Sequence, residues 1–269
     1  AMTPATDPGT AAAPAVDHML DDVQVARFIA RGYHLIDMSD LTDVHAKACA
    51  FLDRFVADGH PHGGTVPNDL FIPIWHDPRA IGAARSLFGD DVSIPQQGQN
   101  MHCHCNPPGK ESVWTHRDSY ATAPNLHRFT YFICFYFPHD ITPEMGPTII
   151  FPESHLRGGS VNLIKHYMNI RGQVPMIGKA GMFAITDGSL WHGSAPNKSN
   201  RHRYLIKGHY GRRSDPTGPT WNHDPERLSE AMAVLANEAP TPLATRERVR
   251  LLEMRRRAWR YMTGQAAEA

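Results

Sequence analysis

A mainly β domain with helices packed against its outside is the fold class that this sequence predicts, on three observations. From about residue 92 to 213 the chain breaks into short runs rich in β-branched and aromatic residues, separated by Gly- and Pro-bearing breaks. The clearest run, 129–137 (FTYFICFYF), is apolar on both faces, so it reads as a strand buried on both. On either side of this region the apolar residues recur at helical spacing instead. Several short strands joined by turns favour a closed or double-sheet β architecture.

The elements follow in order. Residues 21–31 (DDVQVARFIAR) have a helical apolar pattern, and Gly32 follows as a stop. A short strand is expected at 33–36. A second helix is expected at about 41–56. A third, at about 78–87, has Pro78 in its first turn and Gly89 past its end. Strands are expected at 94–105, 129–137, 148–151, 181–185 and 204–210, and the tail from about 225 to 262 reads as two more helices. In that tail Arg255, Arg256, Arg257 and Arg260 read as a solvated basic face over a docked helix. Residues 1–17, rich in Ala, Pro and Thr, are expected to form a disordered arm. Residues 18–269 then form one domain, with a β core at about 92–213 and a helical tail at about 225–263.

Composition limits the function. The 269 residues carry 27 basic and 27 acidic side chains, so net charge points to neither nucleic acid nor a membrane surface. No apolar run approaches a membrane span. The first sixteen residues lack a basic start and an apolar stretch, so they do not read as a secretory signal, and Ala1-Met2 reads as a remnant of cloning. Four cysteines in a chain this long do not make a disulfide scaffold, and a reducing, cytoplasmic setting is expected.

Two segments carry chemistry. One reads Trp114-Thr115-His116-Arg117-Asp118; the other reads Trp191-His192-Gly193-Ser194-Ala195-Pro196-Asn197. Residues i and i+2 of an extended segment point to one side, so His116 and Asp118 can ligate one ion, with His192 as third ligand. Two imidazoles and one carboxylate on one face leave positions open for a chelating keto acid and O2, the arrangement of non-haem Fe(II) oxygenases; Zn(II) also fits this donor set. Arg203 stands eleven residues after His192 and opens a strand whose inward set is Arg203, Leu205, Lys207 and His209. Its guanidinium can pair with a carboxylate through two parallel hydrogen bonds, and Ser194 can donate a third. Asn100, His102 and His104 share one face of another strand and are candidates to contact co-substrate or substrate. Tyr120, Tyr131, Trp191 and Arg212 complete the candidate substrate contacts, although packing is the plainer role for Trp191 and a solvated rim for Arg212.

These segments resemble the phytanoyl-CoA dioxygenase-like branch of the Fe(II)/2-oxoglutarate-dependent oxygenases. The resemblance is carried by Asn106-Pro107-Pro108-Gly109, His116-Arg117-Asp118-Ser119, Thr142-Pro143-Glu144-Met145-Gly146-Pro147-Thr148, Phe151-Pro152-Glu153-Ser154-His155, and His192 to Ser199, with Arg203 and His209-Tyr210. It implies a double-stranded β-helix (jelly roll, cupin-like) core. It also implies Fe(II) on His116, Asp118 and His192, with the far carboxylate of 2-oxoglutarate on Arg203 and Ser194. The activity it implies is a dioxygenase that hydroxylates a C–H bond of a small polar or anionic metabolite or natural-product intermediate, using O2 and releasing succinate and CO2. Halogenases of this kind replace the carboxylate ligand, and Asp118 is present, so halogenation is disfavoured. Glu153 stands where the family pattern has a turn glycine, so that turn is expected to differ.

Other outcomes stay open. The same hydrogen abstraction can end in desaturation, epimerisation or cyclisation. His102-x-His104 with Glu111 faintly resembles a small cupin's metal set, and a non-catalytic metal-binding jelly roll is the remaining alternative. The partner expected is a small-molecule substrate, with oligomeric state open and a homodimer among the options.

Overall fold

A computed structural model of the chain describes residues 18–118, 126–157, 170–238 and 245–265. Helix α1 (Asp22–Arg31) begins at a reciprocal cap: Gln24 N–H donates to the Asp21 carboxylate, and Asp21 N–H donates to the Gln24 side chain. Gly32 closes the helix in the left-handed conformation. Then come β1 (Tyr33–Asp37), α2 (Thr42–Ala57), β2 (Gly63–Pro67), α3 (Ile72–Trp75) and α4 (Pro78–Phe88). The β region holds β3 (Asn100–Asn106), β4 (Val113–His116), β5 (Tyr131–Phe137), β6 (Thr148–Ile150), β7 (Val174–Pro175), β8 (Met182–Asp187), β9 (His192–Ser194) and β10 (Arg203–Gly211). Helices α5 (Leu228–Asn237) and α6 (Thr245–Met262) close the chain.

The strand expected at 94–105 begins only at Asn100. Pro95 has no N–H for a ladder, Gln96 N–H donates to the Gln99 side chain, and Gly98 turns the backbone at φ 76°. Strand β2 was not foreseen, because its GGTVP sequence carries two positive-φ glycines and a proline and pairs only along the sheet edge.

Among the described residues the strands form two antiparallel sheets. The larger has the order β1-β8-β5-β10-β3-β2 and the smaller β4-β9-β6-β7. Alternation along β5 divides the core. Phe132, Cys134 and Tyr136 pack with Phe28, Trp75 and Phe88 from the helices, whereas Ile133, Phe135 and Phe137 join Ile150, Ala184 and Leu205 between the sheets. The architecture is mainly β with flanking α, and its cavity opens between the two sheets. All four cysteines are free thiols. No helix of the described residues is long and apolar enough to cross a membrane.

The tail differs from its expected basic face. Arg255 is buried at 2% exposure, donates to Leu235 O at 2.9 Å, and forms an ion pair with Glu153, which is also 2% exposed. Arg256 and Arg257 remain exposed, and Val249 is 62% exposed. The buried stripe is Leu251, Arg255, Ala258, Trp259 and Met262. Glu153 adopts a left-handed conformation (φ 68°, ψ −11°). It is the non-glycine residue with positive φ among those described, and the buried pair with Arg255 stabilises it there.

Asp187, at the end of β8, gives a pH-dependent prediction. Burial pushes its pKa up to about 7, more than the bond from Ser189 N–H to its Oδ1 can offset. In the unfolded chain the same carboxyl ionises near pH ~4. Between these values the folded chain binds more protons, so this contribution is complete below about pH 4 and lost as pH rises through about 7. Asp187→Asn keeps an acceptor oxygen for Ser189. It is expected to flatten the slope and raise Tm at pH 8 by a few degrees, about 1–2 kcal/mol for a chain of this size. Thermal melts of both proteins at pH 5 and pH 8 check this.

Candidate metal centre and co-substrate pocket

The smaller sheet brings the candidate ligands together by register. On β4 and β9, His116 lies opposite His192 and Val113 opposite Ser194, and β6 continues those rows with Ile150 and Thr148. A glycine between His192 and Ser194 is needed for this approach, since a Cβ on Gly193 would lie 2.6 Å from Val113 O. Asp118 follows β4 two residues after His116.

His116 Nε2 lies 3.6 Å from Asp118 Oδ1, and His192 Nε2 lies 3.5 Å from Asp118 Oδ2. Among the described residues, these three make the one group of metal-ligating side chains, with ligand atoms all within 4.8 Å of one another. His102 and His104 do not join it. Both ligand imidazoles are oriented by backbone carbonyls: Nδ1 of His116 bonds Trp114 O and Nδ1 of His192 bonds Leu190 O, each at 3.1 Å. A ring that donates from Nδ1 leaves the Nε2 lone pair free toward the centre. The His192 Nε2 is buried without a hydrogen-bond partner, which a metal ion would supply.

Electrostatics favour cation binding. Burial lowers the His116 pKa, with His192 adding to the effect, so the ring is neutral at pH 7. Burial alone would raise the Asp118 carboxyl, but His192 and Lys207 outweigh it and hold it well below the usual carboxylate range. Lys207 Nζ donates to Asp118 Oδ2 at 2.6 Å.

A cavity beside the triad is walled by His116, His192, Gly193, Ser194 and Val113 from the smaller sheet, and by His104, Asn106, Arg203, Leu205 and Lys207 from the larger. In the larger sheet Arg203 lies opposite Asn106, Leu205 opposite His104 and Lys207 opposite His102, so three of the four inward β10 residues line the cavity. Arg203 is 2% exposed; its Nε donates to Gly146 O at 3.2 Å, and its Nη1 has no partner. Burial lowers its pKa to about 10. Ser194 Oγ and Asn106 Nδ2 are also buried and unpartnered. A guanidinium, a hydroxyl and an amide, all unsatisfied around one cavity, make a receptor for a carboxylate.

The remaining candidates are placed as follows. His104 lines the cavity, and burial, with Lys207, lowers its pKa to about 3. Asn100 and His102 lie toward the exposed end of β3 and do not line the cavity. Tyr131 OH bonds His209 Nδ1 at 2.5 Å with the rings stacked, also outside the lining. Trp191 packs with Ile149 and Phe151. Arg212 does not rim the cavity: its guanidinium donates to Leu87 O, Phe88 O and Phe129 O, tying the end of α4 to the start of β5. Trp114, which precedes the first ligand by two residues, is 56% exposed. Tyr120 lies outside the described residues. Asn106 was quoted only within a motif and not as a candidate. Its signal was its alternation with Asn100, His102 and His104 along β3.

The family model described as Phytanoyl-CoA dioxygenase (PhyH) matches residues 9–204. Among solved structures, EctD from S. alaskensis in its apoform is similar at 21% identity, with 83% of this chain and 89% of that chain covered and a TM-score of 0.58. HygX from Streptomyces hygroscopicus, with nickel and 2-oxoglutarate bound, is similar at 14% identity, covering 72% and 88%, with a TM-score of 0.57. The non-heme alpha ketoglutarate dependent epimerase SnoN from nogalamycin biosynthesis is similar at 17% identity, covering 70% and 79%, with a TM-score of 0.55. No curated protein sequence matches the chain. At these identities the structural likeness establishes the fold.

Proposed function

The chain belongs to the phytanoyl-CoA dioxygenase family of iron- and 2-oxoglutarate-dependent oxygenases, and on that premise we propose that it hydroxylates a C–H bond of a small polar or anionic metabolite. The observation that carries the reading is the His116, Asp118, His192 group standing beside an unsatisfied, buried Arg203. A ferrous ion with 2-oxoglutarate would supply oxygen activation, coupling decarboxylation to succinate and CO2 with oxidation of the substrate.

The residues of the chain have separate tasks. His116 and His192 offer Nε2 while their Nδ1 atoms hold backbone carbonyls. Asp118 would offer its carboxylate to the metal, and in the free protein its Oδ2 accepts from Lys207 Nζ. Arg203, with Ser194 and Asn106 beside it, takes the distal carboxylate of 2-oxoglutarate. Val113 and Leu205 in the cavity wall, with Phe135 in the same buried cluster as Leu205 between the sheets, exclude water from the reacting end. Asp118 would supply the carboxylate ligand that halogenases of this kind replace, which favours hydroxylation over halogenation. SnoN, an epimerase of similar fold, keeps epimerisation as a second outcome of the same hydrogen abstraction.

We also read residues 18–269 as one oxygenase domain, supported by the pairing of β1 with β8 and the contact of α6 with α1. The four free thiols support a reducing, cytoplasmic setting. Turnover tests the reading. Succinate should form from 2-oxoglutarate only with Fe(II) and O2, slowly without substrate, and His192→Ala should fall to background; succinate release that survives His192→Ala overturns it.

A further inference from the structure

Charge at the loaded centre does not balance, and on this ground we propose that Lys207 anchors a carboxylate of the substrate, next to the metal and separate from the Arg203 anchor. This deepens, and rests on, the reading of a dication with 2-oxoglutarate. Lys207 is 8% exposed, and its ammonium has two described contacts: Asp118 Oδ2 at 2.6 Å and the face of the Phe135 ring at 5.6 Å. A buried ammonium persists only beside an opposite charge, and that charge is the carboxylate a metal would claim.

The count is short by one. A dication, Arg203 and Lys207 bring four positive charges, whereas Asp118 and dianionic 2-oxoglutarate bring three negative ones. Among the described residues, none that lines the cavity is an acid. The nearby His102, His104 and His209 add no charge, because burial holds each ring neutral at pH 7. One monoanion restores neutrality, and a substrate carrying it would be pinned beside the metal. Position separates this anchor from the first: Lys207 is four residues from Arg203 along one strand face, a rise of about 13 Å. The ring of Phe135 beneath the ammonium gives the carbon skeleton next to the carboxylate an apolar seat.

The test uses Co(II)-loaded protein with saturating 2-oxoglutarate and two matched probes, acetate and acetamide. Paramagnetic broadening of each methyl resonance reports residence beside the metal. Acetate should broaden several-fold more than acetamide. Lys207→Met should lose that excess and Lys207→Arg should keep it, with 2-oxoglutarate affinity within about threefold of wild type in both. Lys207→Gln replaces Lys207→Met if circular dichroism shows the latter unfolded. Equal broadening of the two probes by wild type, or an acetate excess that survives the neutral variant, overturns the proposal. So does a tenfold loss of 2-oxoglutarate affinity in that variant, which would give Lys207 to the co-substrate. A wild-type protein without Co(II) d–d absorption would overturn the underlying reading, a result distinct from these.

Discussion

Arg203→Met is expected to weaken 2-oxoglutarate binding by about a hundredfold or more while leaving metal uptake near the wild-type level. The guanidinium is 2% exposed, and its Nη1 has no partner in the free protein. A carboxylate arriving there forms charge-assisted bonds in a site already stripped of water, and truncating one partner of such a pair costs about 2–5 kcal/mol. Every ~1.4 kcal/mol is tenfold in affinity. The variant should have a second effect of opposite sign. Burial of the unpaired cation destabilises the free protein, as its lowered pKa reflects, so Arg203→Met should melt at or above the wild-type temperature without ligand. Calorimetric titration of 2-oxoglutarate into Ni(II)-loaded protein, with melts of the apo forms, reads both. Weakened binding together with a lower apo melting temperature would mark damage to the fold rather than loss of an anchor.

Arg255→Met is expected to cost about 3–5 kcal/mol of stability, because it removes one partner of a buried ion pair, the Arg255 guanidinium beside Glu153. Glu153→Gly should cost less. It strands Arg255, but it also removes a side chain from a left-handed backbone position, which returns about 1–2 kcal/mol. Urea unfolding of the two variants therefore orders them. The same turn supports the metal strand: Ser154 Oγ donates to Phe151 O at 2.6 Å and accepts from Trp191 N–H at 2.8 Å, one residue before His192. Both variants should therefore lose metal affinity as well as stability. Arg255→Met at wild-type stability would remove the tail from the account of the site.

What could be read in the sequence followed from short-range periodicity. His116 and Asp118 are i and i+2 of an extended segment, and Arg203, Leu205 and Lys207 alternate along one strand, so their shared faces follow from local geometry. The capping of α1, Pro78 opening α4 and the doubly apolar β5 follow from the same local rules. Pairings across long separations were out of reach. The bond from Lys207 to Asp118 exists because the two sheets face each other. Arg212 binds the end of α4 because β10 ends beside it, and nothing local distinguishes it from a rim arginine. Glu153 invited the expectation of an altered turn; that it pairs with a residue 102 positions away was not legible locally. Strand β9, three residues long, was too short for alternation to identify, yet it carries both His192 and Ser194.

The central claim is that one ferrous ion sits on His116, Asp118 and His192 and is chelated by a keto acid. Absorption spectroscopy of anaerobic protein with Fe(II) and 2-oxoglutarate tests it most directly. The account predicts a weak visible charge-transfer band in the wild-type protein and none in His116→Ala. The same band in His116→Ala, or a wild-type spectrum that 2-oxoglutarate leaves unchanged, would contradict it.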